Sequence, residues 1–117
     1  MEINLKQSVY DIIIAYYFNS EKPYLESIRT IFRGPNPEIA PVAKKFSKLY
    51  CYGSHKDISL KAIQLRIDSL IKQNIIQTVE SNKRTYFIPT DTKKASTRYH
   101  QLINRKMLVF QNGTFKY

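Results

Sequence analysis

The side chains that could act as nucleophiles or metal ligands are few and far apart in this chain. A single cysteine, Cys51, and two histidines, His55 and His100, stand in a sequence of 117 residues. A Cys51–His55 or Cys51–His100 pair would need an acid to orient the histidine and an oxyanion hole, and the sequence offers neither. One thiol also excludes an internal disulfide and a zinc site built from several cysteines. We therefore expect no enzymatic activity, no cofactor and no metal, and we expect Cys51 to be a buried structural thiol.

Positive charge is the strongest chemical feature of the chain. Lysines and arginines number 19 against 9 aspartates and glutamates, which gives a formal net charge of +10. Between positions 83 and 106 Asp91 is the one acidic residue among seven basic ones. Such an excess favours salt-dependent association with polyanions, although a charge that serves only solubility is the alternative. The sequence has neither a GxxxxGK[ST] loop nor a paired acidic motif for magnesium, so ATP hydrolysis is not expected of it.

A length of 117 residues indicates a single domain over residues 1–117. No apolar run approaches about 18 residues, and the N-terminus lacks a signal-peptide pattern. We therefore expect an intracellular monomer, in the nucleus or the bacterial nucleoid, without a membrane partner. The sequence does not distinguish a stand-alone protein from a fragment of a larger one.

Apolar residues at helical spacing predict several helices that would position the basic groups. Five helices are predicted. The first begins near Ser8, the second runs from about Tyr24 to Phe32, and the third lies within 38–48 with Pro41 near its start. The fourth and fifth extend over about Leu60–Gln73 and Lys94–Lys106. In the Leu60 helix, Asp57 or Ser59 is expected to be the N-cap. Its predicted inner face consists of Ile63, Ile67, Leu70, Ile71 and Asn74. Leu65 lies on the outer face and needs a partner, either the C-terminal segment or a ligand.

Two predicted hairpins follow the helices. Ile75–Val79 and Tyr86–Ile88 are strand-like runs around a polar, basic tip at 80–85. A second hairpin is expected at about 107–117, where Asn112-Gly113 is a type I′ turn signal. A capped helix followed at once by a hairpin predicts a mainly α fold with a small β wing (α+β), a winged helix-turn-helix with its core at about 8–103.

Four segments, in this order, resemble the RecQ C-terminal (RQC) winged-helix domain of RecQ-family DNA helicases. They are IRTIFRGPN at 28–36, YGSHKDIS at 52–59, LIKQNII at 70–76 and VESNKRTYFIPTDTKK from Val79 onward. The resemblance covers roughly Ser8 to Leu102. It implies a module that holds duplex DNA near a fork, end or junction and so targets or orients a helicase core, in the same or another chain. DNA repair, replication and recombination are the processes that it implies.

The resemblance also implies a set of DNA-binding residues. Arg33, Lys56 and Ser59 would contact phosphates, with Lys61 and Lys72 as further candidates. The N-terminus of the Leu60 helix independently offers free N–H groups and a positive dipole end to an anion.

Three further candidates lie on the wing. Lys83 and Arg84 would place the hairpin in a groove or at a duplex end, and Tyr86 would contact a base or sugar. Tyr50 and Tyr52 are additional aromatic candidates for such contacts.

The chain departs from the family pattern at three positions. His55 replaces the second glycine of YGxGKD, and Pro35 replaces the serine after Arg-Gly. Arg84 stands where strand-separating relatives carry an aromatic residue, and the four-cysteine zinc module of many RecQ proteins is missing. These departures favour duplex or junction binding over strand separation.

Two other functions remain open from the residues alone. A sequence-specific winged-helix transcriptional regulator would insert the outer face of the Leu60 helix into the major groove, where Leu65 and Asp68 suit base readout poorly. A winged-helix protein-interaction module would use Leu65 and the segment 107–117 as an apolar patch.

Overall fold

The computed structural model of the chain describes residues 4–35 and 41–110. Over these residues, five helices accompany one antiparallel two-stranded sheet. The helices are α1 (Leu5–Phe18), α2 (Leu25–Arg33), α3 (Pro41–Lys45), α4 (Leu60–Lys72) and α5 (Thr92–Asn104), and the strands are β1 (Ile76–Ser81) and β2 (Arg84–Pro89). The predicted α+β class is confirmed, with an arrangement consistent with a helix-turn-helix followed by a small β wing.

Helix α1 is the centre of the core. Its buried residues include Val9 and every position from Asp11 to Tyr16. A helix that is apolar on most sides must be covered on most sides, and α2, α4, α5 and β2 all pack against it. The prediction that α1 begins near Ser8 is wrong by about one turn, because Asn4 is the N-cap and accepts a hydrogen bond from the Gln7 N–H at 3.0 Å.

Helices α2 and α3 follow α1 along the chain. Tyr24 is the N-cap of α2, and Ile28, Ile31 and Phe32 are its buried residues, as their spacing predicts. Pro41 is the first residue of α3, which ends at Lys45 and is shorter than the predicted 38–48. Positions 38–40 of that prediction lie outside the described residues.

Helix α4 confirms most of the predicted pattern. Ser59, rather than Asp57, is the N-cap, since its Oγ accepts a hydrogen bond from the Ala62 N–H at 3.1 Å. Ile63, Ile67 and Leu70 are buried. The prediction is wrong for Ile71 and Asn74, which are exposed. The helix ends at Lys72 and the chain reverses at Asn74, whose φ is 59°, so the inner face stops at Leu70.

The hairpin is tighter than predicted. Ser81 pairs with Arg84, which leaves Asn82 and Lys83 as a two-residue turn with φ values of 51° and 63°. Positive φ at both central positions is the type I′ geometry that suits the twist of a hairpin. Strand β2 is also tied to the connection before α2, because the Phe87 N–H donates to the Pro23 carbonyl at 3.2 Å.

The last described segment closes the fold around α1. Asp91 caps α5 by accepting from the Lys94 N–H at 3.0 Å, so α5 starts two residues earlier than predicted. After α5, the Tyr50 N–H donates to the Met107 carbonyl at 2.7 Å, and Leu108 forms a β-bridge with Leu49. The Asn112-Gly113 turn and residues 111–117 of the predicted second hairpin lie outside the described residues. None of the described helices combines the length and apolarity needed to cross a membrane.

Candidate functional site

Two of the segments singled out in the sequence meet at the C-terminus of α2. The Gly53 N–H donates to the Ile31 carbonyl at 2.9 Å, and the His55 N–H donates to the Phe32 carbonyl at 2.9 Å. The last carbonyls of a helix have no partner within it. The loop 52–59 therefore supplies the donors that α2 lacks, and it runs from there into the N-terminus of α4.

Glycine is required where the two segments touch. A Cβ built on Gly34 would lie 2.7 Å from the Cα of Gly53, which is closer than real Cβ atoms come to backbone. Both residues also have positive φ, +86° at Gly34 and +73° at Gly53, a region that favours glycine. The glycine of the Arg-Gly segment and the glycine of the Tyr-Gly segment thus form one backbone contact.

Four of the predicted phosphate contacts surround this junction, and we call Arg33, Lys56, Ser59 and Lys61 the α4 N-terminal cluster. The Arg33 guanidinium extends from the end of α2 to the Ile58 carbonyl, with Nη2 at 3.4 Å from the oxygen. Lys56 and Lys61 are exposed on either side of the cap residue Ser59. The Ser59 oxygen accepts from Ala62, and its hydroxyl hydrogen can still be donated to an anion. Asp57 is exposed in the same loop and offsets part of the positive field.

Lys72 lies apart from this cluster. It is the last residue of α4, and twelve residue steps at about 1.5 Å each place it about 18 Å along the helix axis from Leu60. An exposed lysine at this position complements the negative end of the helix dipole. A phosphate bound by Lys72 would have to belong to a different part of the DNA from the phosphates bound by the α4 N-terminal cluster.

The predicted wing residues lie at or near the turn end of the hairpin. Lys83 is exposed in the turn itself, and Arg84, the first residue of β2, pairs with Ser81 directly after the turn. The Arg84 guanidinium carbon lies 3.6 Å from the centroid of the Tyr24 ring. Tyr86 contacts the same ring edge-to-face, with centroids 6.0 Å apart, and Lys22 Nζ lies 5.4 Å from the Tyr86 centroid. Arg84 and Tyr86 are therefore brought together with each other, on the side of the wing that faces α2.

The sequence pattern missed Lys22 and Tyr24 as members of this group. Tyr24 was interpreted as the first residue of a helix, but it is an extended N-cap residue that forms a β-bridge with Tyr86. Pro23 gave a partial signal, because the residue before a proline, here Lys22, is pushed toward extended conformations. For Tyr24, which follows the proline, this rule gives no signal.

A buried carboxylate, Asp11, was also missed. It is fully buried in α1 and receives two hydrogen bonds from Arg98, from Nε and Nη2, each at 2.9 Å. The Tyr50 hydroxyl donates to Asp11 at 2.6 Å and Gln7 Nε2 donates at 3.0 Å. Hydrogen bonding to Asp11 raises the pKa of Arg98, while burial and then the Asp11 charge raise the pKa of Tyr50. Arg98 and the Tyr50 hydroxyl are thus engaged inside the protein rather than directed at a ligand.

The residues considered for nucleophilic chemistry differ in their surroundings. Cys51 is buried, as predicted, and desolvation followed by the charge of Asp11 raises the pKa of its thiol. His55 Nδ1 is 2.8 Å from Ser54 Oγ, and His100 is exposed on α5. Within residues 4–35 and 41–110 there is no group of three or more histidine, cysteine or acidic side chains that could hold a metal ion.

Comparison with known proteins assigns the chain to no family. No protein-family model, curated protein or solved structure matches it. Its function must therefore be argued from its own residues and their arrangement.

Proposed function

We propose that the chain is a winged-helix DNA-binding module of the RecQ C-terminal type. In this assignment α4 is the helix presented to DNA, the β1–β2 hairpin is the wing, and α1, α2 and α5 form the support. The module binds duplex ends, forks or junctions through the phosphate backbone, with little base readout.

The observation that carries the proposal is the junction of the two glycine segments. Residues 31–34 and 53–59 are joined by backbone hydrogen bonds, and the joined segments lead directly into the capped N-terminus of α4. Arg33, Lys56 and Lys61 are exposed around that end. A helix N-terminus surrounded by exposed cations has the electrostatics and the free N–H donors that a phosphate requires.

The bulk charge supports the same conclusion. A net charge of +10 on 117 residues adds a long-range attraction to any polyanion. The wing places Lys83 at the end of a two-residue turn, where a lysine side chain can enter a groove or meet a phosphate. Because the lysine and arginine side chains would contact phosphates rather than base edges, binding is expected to depend on DNA shape and salt concentration more than on sequence.

The biological role that fits such a module is to target or orient a helicase core at a DNA fork or end. The core, in the same or another chain, would provide ATP hydrolysis. DNA repair, replication or recombination, in a nucleus or a nucleoid, is the setting in which such substrates arise.

Fluorescence anisotropy with forked, blunt and single-stranded DNA of unrelated sequences, each across a salt series, tests the proposal. We expect tighter binding to forks or duplex ends, indifference to sequence and a steep salt dependence. No measurable binding at low salt would refute it. A strong preference for one sequence, resistant to random competitor DNA, would indicate the regulator instead.

One observation favours a second candidate, a protein-interaction module. Leu65 is 56% exposed in the middle of the outer face of α4, between Lys61 and Asp68. An apolar side chain in that position is more typical of a docking surface than of a DNA groove. This candidate predicts negligible DNA affinity for the chain and a loss of binding to its protein partner in Leu65→Glu.

A further inference from the structure

A groove lies beside Arg84, at the turn end of the β1–β2 hairpin and on the side that faces α2, and has a volume of about 780 Å³. Its lining includes Tyr24, Arg84, Lys22 and Arg29 together with Glu21 and Glu26. This volume is within the range of about 300–1,000 Å³ that is typical of sites for small ligands. The groove is distinct from the α4 N-terminal cluster, none of whose residues line it.

The groove has a flat aromatic surface at its edge. The Tyr24 ring is half-buried and its face is covered by the planar Arg84 guanidinium at 3.6 Å. Arg84 is exposed, so its stack can be exchanged for another planar group without opening the core. Aromatic rings and guanidinium planes are the two surfaces on which proteins stack unpaired nucleobases.

The charges around the groove suit an anion attached to such a base. Lys22, Arg29 and Arg84 are cationic, and of the two carboxylates Glu21 already contacts Lys45 Nζ at 3.4 Å. The local balance is therefore positive. A flat stacking surface beside cations is the combination that single-stranded nucleic acid recognises, since every base has a π face and every nucleotide a phosphate.

We propose that this groove binds the unpaired arm of a DNA fork. A base stacks on Tyr24 in the place of the Arg84 guanidinium, and Arg84 and Arg29 neutralise the adjoining phosphates. This assignment rests on the proposed function only for the origin of the strand: a wing whose tip meets a duplex end leaves the unpaired arm beside that tip, where the groove is.

Tyr24→Trp tests the stacking directly, because the natural chain contains no tryptophan. Oligothymidylate should quench the new indole fluorescence, and an abasic oligonucleotide of equal length and charge should quench it less than half as much. Leu65→Trp, on the outer face of α4, is the matched control and should respond equally to both. Equal quenching of the Tyr24→Trp variant by the two oligonucleotides, or no quenching, would overturn the proposal.

A second measurement separates failure of the groove from failure of the proposed function. The wild-type chain should bind a fork with an unpaired arm roughly tenfold more tightly than a blunt duplex, a gain in the range of one stacked base. Tyr24→Leu should remove that gain and leave blunt-duplex affinity within twofold. A gain that persists in Tyr24→Leu overturns the groove assignment alone. Absence of blunt-duplex binding by the wild type overturns the proposed function, while the Tyr24→Trp titration still decides whether the groove binds a single strand.

Discussion

Arg98 on α5 and Asp11 on α1 form a two-point ion pair across the core, with both nitrogen–oxygen distances at 2.9 Å. The carboxylate is fully buried, whereas the guanidinium side chain retains 21% of its exposure. An ionised carboxylate in the interior needs its hydrogen bonds to offset the loss of water. Tyr50 and Gln7 complete the set of donors, so this polar network links three separate parts of the chain.

Replacing Arg98 by alanine should destabilise the protein substantially. The change leaves the Asp11 carboxylate buried without its counter-charge, which we expect to cost about 3 kcal/mol of the free energy of unfolding. Urea denaturation followed by circular dichroism measures it. Arg105→Ala, an exposed arginine just beyond α5, is the control and should cost less than about 0.5 kcal/mol. Equal effects of the two substitutions would show that the ion pair contributes nothing specific.

The phenol of Tyr50 should make stability depend on pH at the alkaline end. The pKa of Tyr50 is raised by burial and by Asp11, above the ordinary value of 10.0. Above about pH 10 the unfolded chain loses this proton while the folded chain keeps it, so stability falls as pH rises. Tyr50→Phe should lower the free energy of unfolding at pH 7 by about 1–2 kcal/mol and should make the decline above pH 10 shallower. Tyr52→Phe is the control, and a decline that is equally steep in Tyr50→Phe would contradict the assignment.

The two contacting glycines should differ in their tolerance of a side chain. Gly34→Ala places a Cβ 2.7 Å from the Gly53 backbone, whereas Gly53→Ala brings its Cβ no closer than 3.7 Å to Gly34. We expect a cost of about 2–3 kcal/mol for Gly34→Ala, and of about 1 kcal/mol for Gly53→Ala from its positive φ alone. Thermal denaturation of both variants gives the order. A larger cost for Gly53→Ala than for Gly34→Ala would mean that the loop around Gly53 moves to accommodate the Cβ at position 34.

Phosphate binding by the loop and the wing should appear in the salt dependence. Lys56→Ala combined with Lys83→Ala should weaken affinity for all DNA sequences alike and reduce the slope of log K against log salt by about two units, one for each lost phosphate contact. Anisotropy titrations between low and physiological salt measure the slope. Lys44→Ala with Arg105→Ala removes the same charge from other exposed positions and should change the slope little. An unchanged slope in the first pair would refute the site assignment.

The burial of Cys51 should protect it from alkylation. Burial raises the pKa of its thiol, so the reactive thiolate is scarce at pH 8 and is also inaccessible. Iodoacetamide should modify the native protein at least tenfold more slowly than the protein in denaturant, as followed by intact mass. Equal rates would show that the segment around Cys51 opens readily.

Local features were predictable from sequence to within a turn. The period of Ile63, Ile67 and Leu70 and the capping preference of serine define α4, because both depend on residues within one or two turns. The wing was predictable for the same reason, although the pairing of Ser81 with Arg84 shortened its turn. Several of the positions that failed, among them Ile71, Asn74 and the starts of α1 and α5, lie at helix ends, where a single cap decides the boundary.

Long-range polar contacts were not predictable in the same way. Asp11 in an apolar run signals that a partner is needed, but nothing in its surroundings indicates that the partner is Arg98, 87 positions away. Likewise, the stack of Arg84 on Tyr24 depends on how β2 meets the connection before α2. The α4 N-terminal cluster could be anticipated because its members are close in sequence or adjoin a glycine segment. The groove beside the turn end of the hairpin could not be anticipated, because its lining comes from distant segments.

The turn of the wing has an implication for how this chain can be altered. Lys83 holds a φ of 63°, a conformation in which glycine is at ease and a lysine is strained by about 1 kcal/mol. Asn-Gly would make the same turn at lower free energy. Selection for folding stability alone would favour glycine at position 83. Replacing Lys83 by glycine should therefore raise thermal stability, but it removes one positive charge from the turn. A library randomised at this one site and sorted separately for heat resistance and for ligand capture would return different residues from the two sorts.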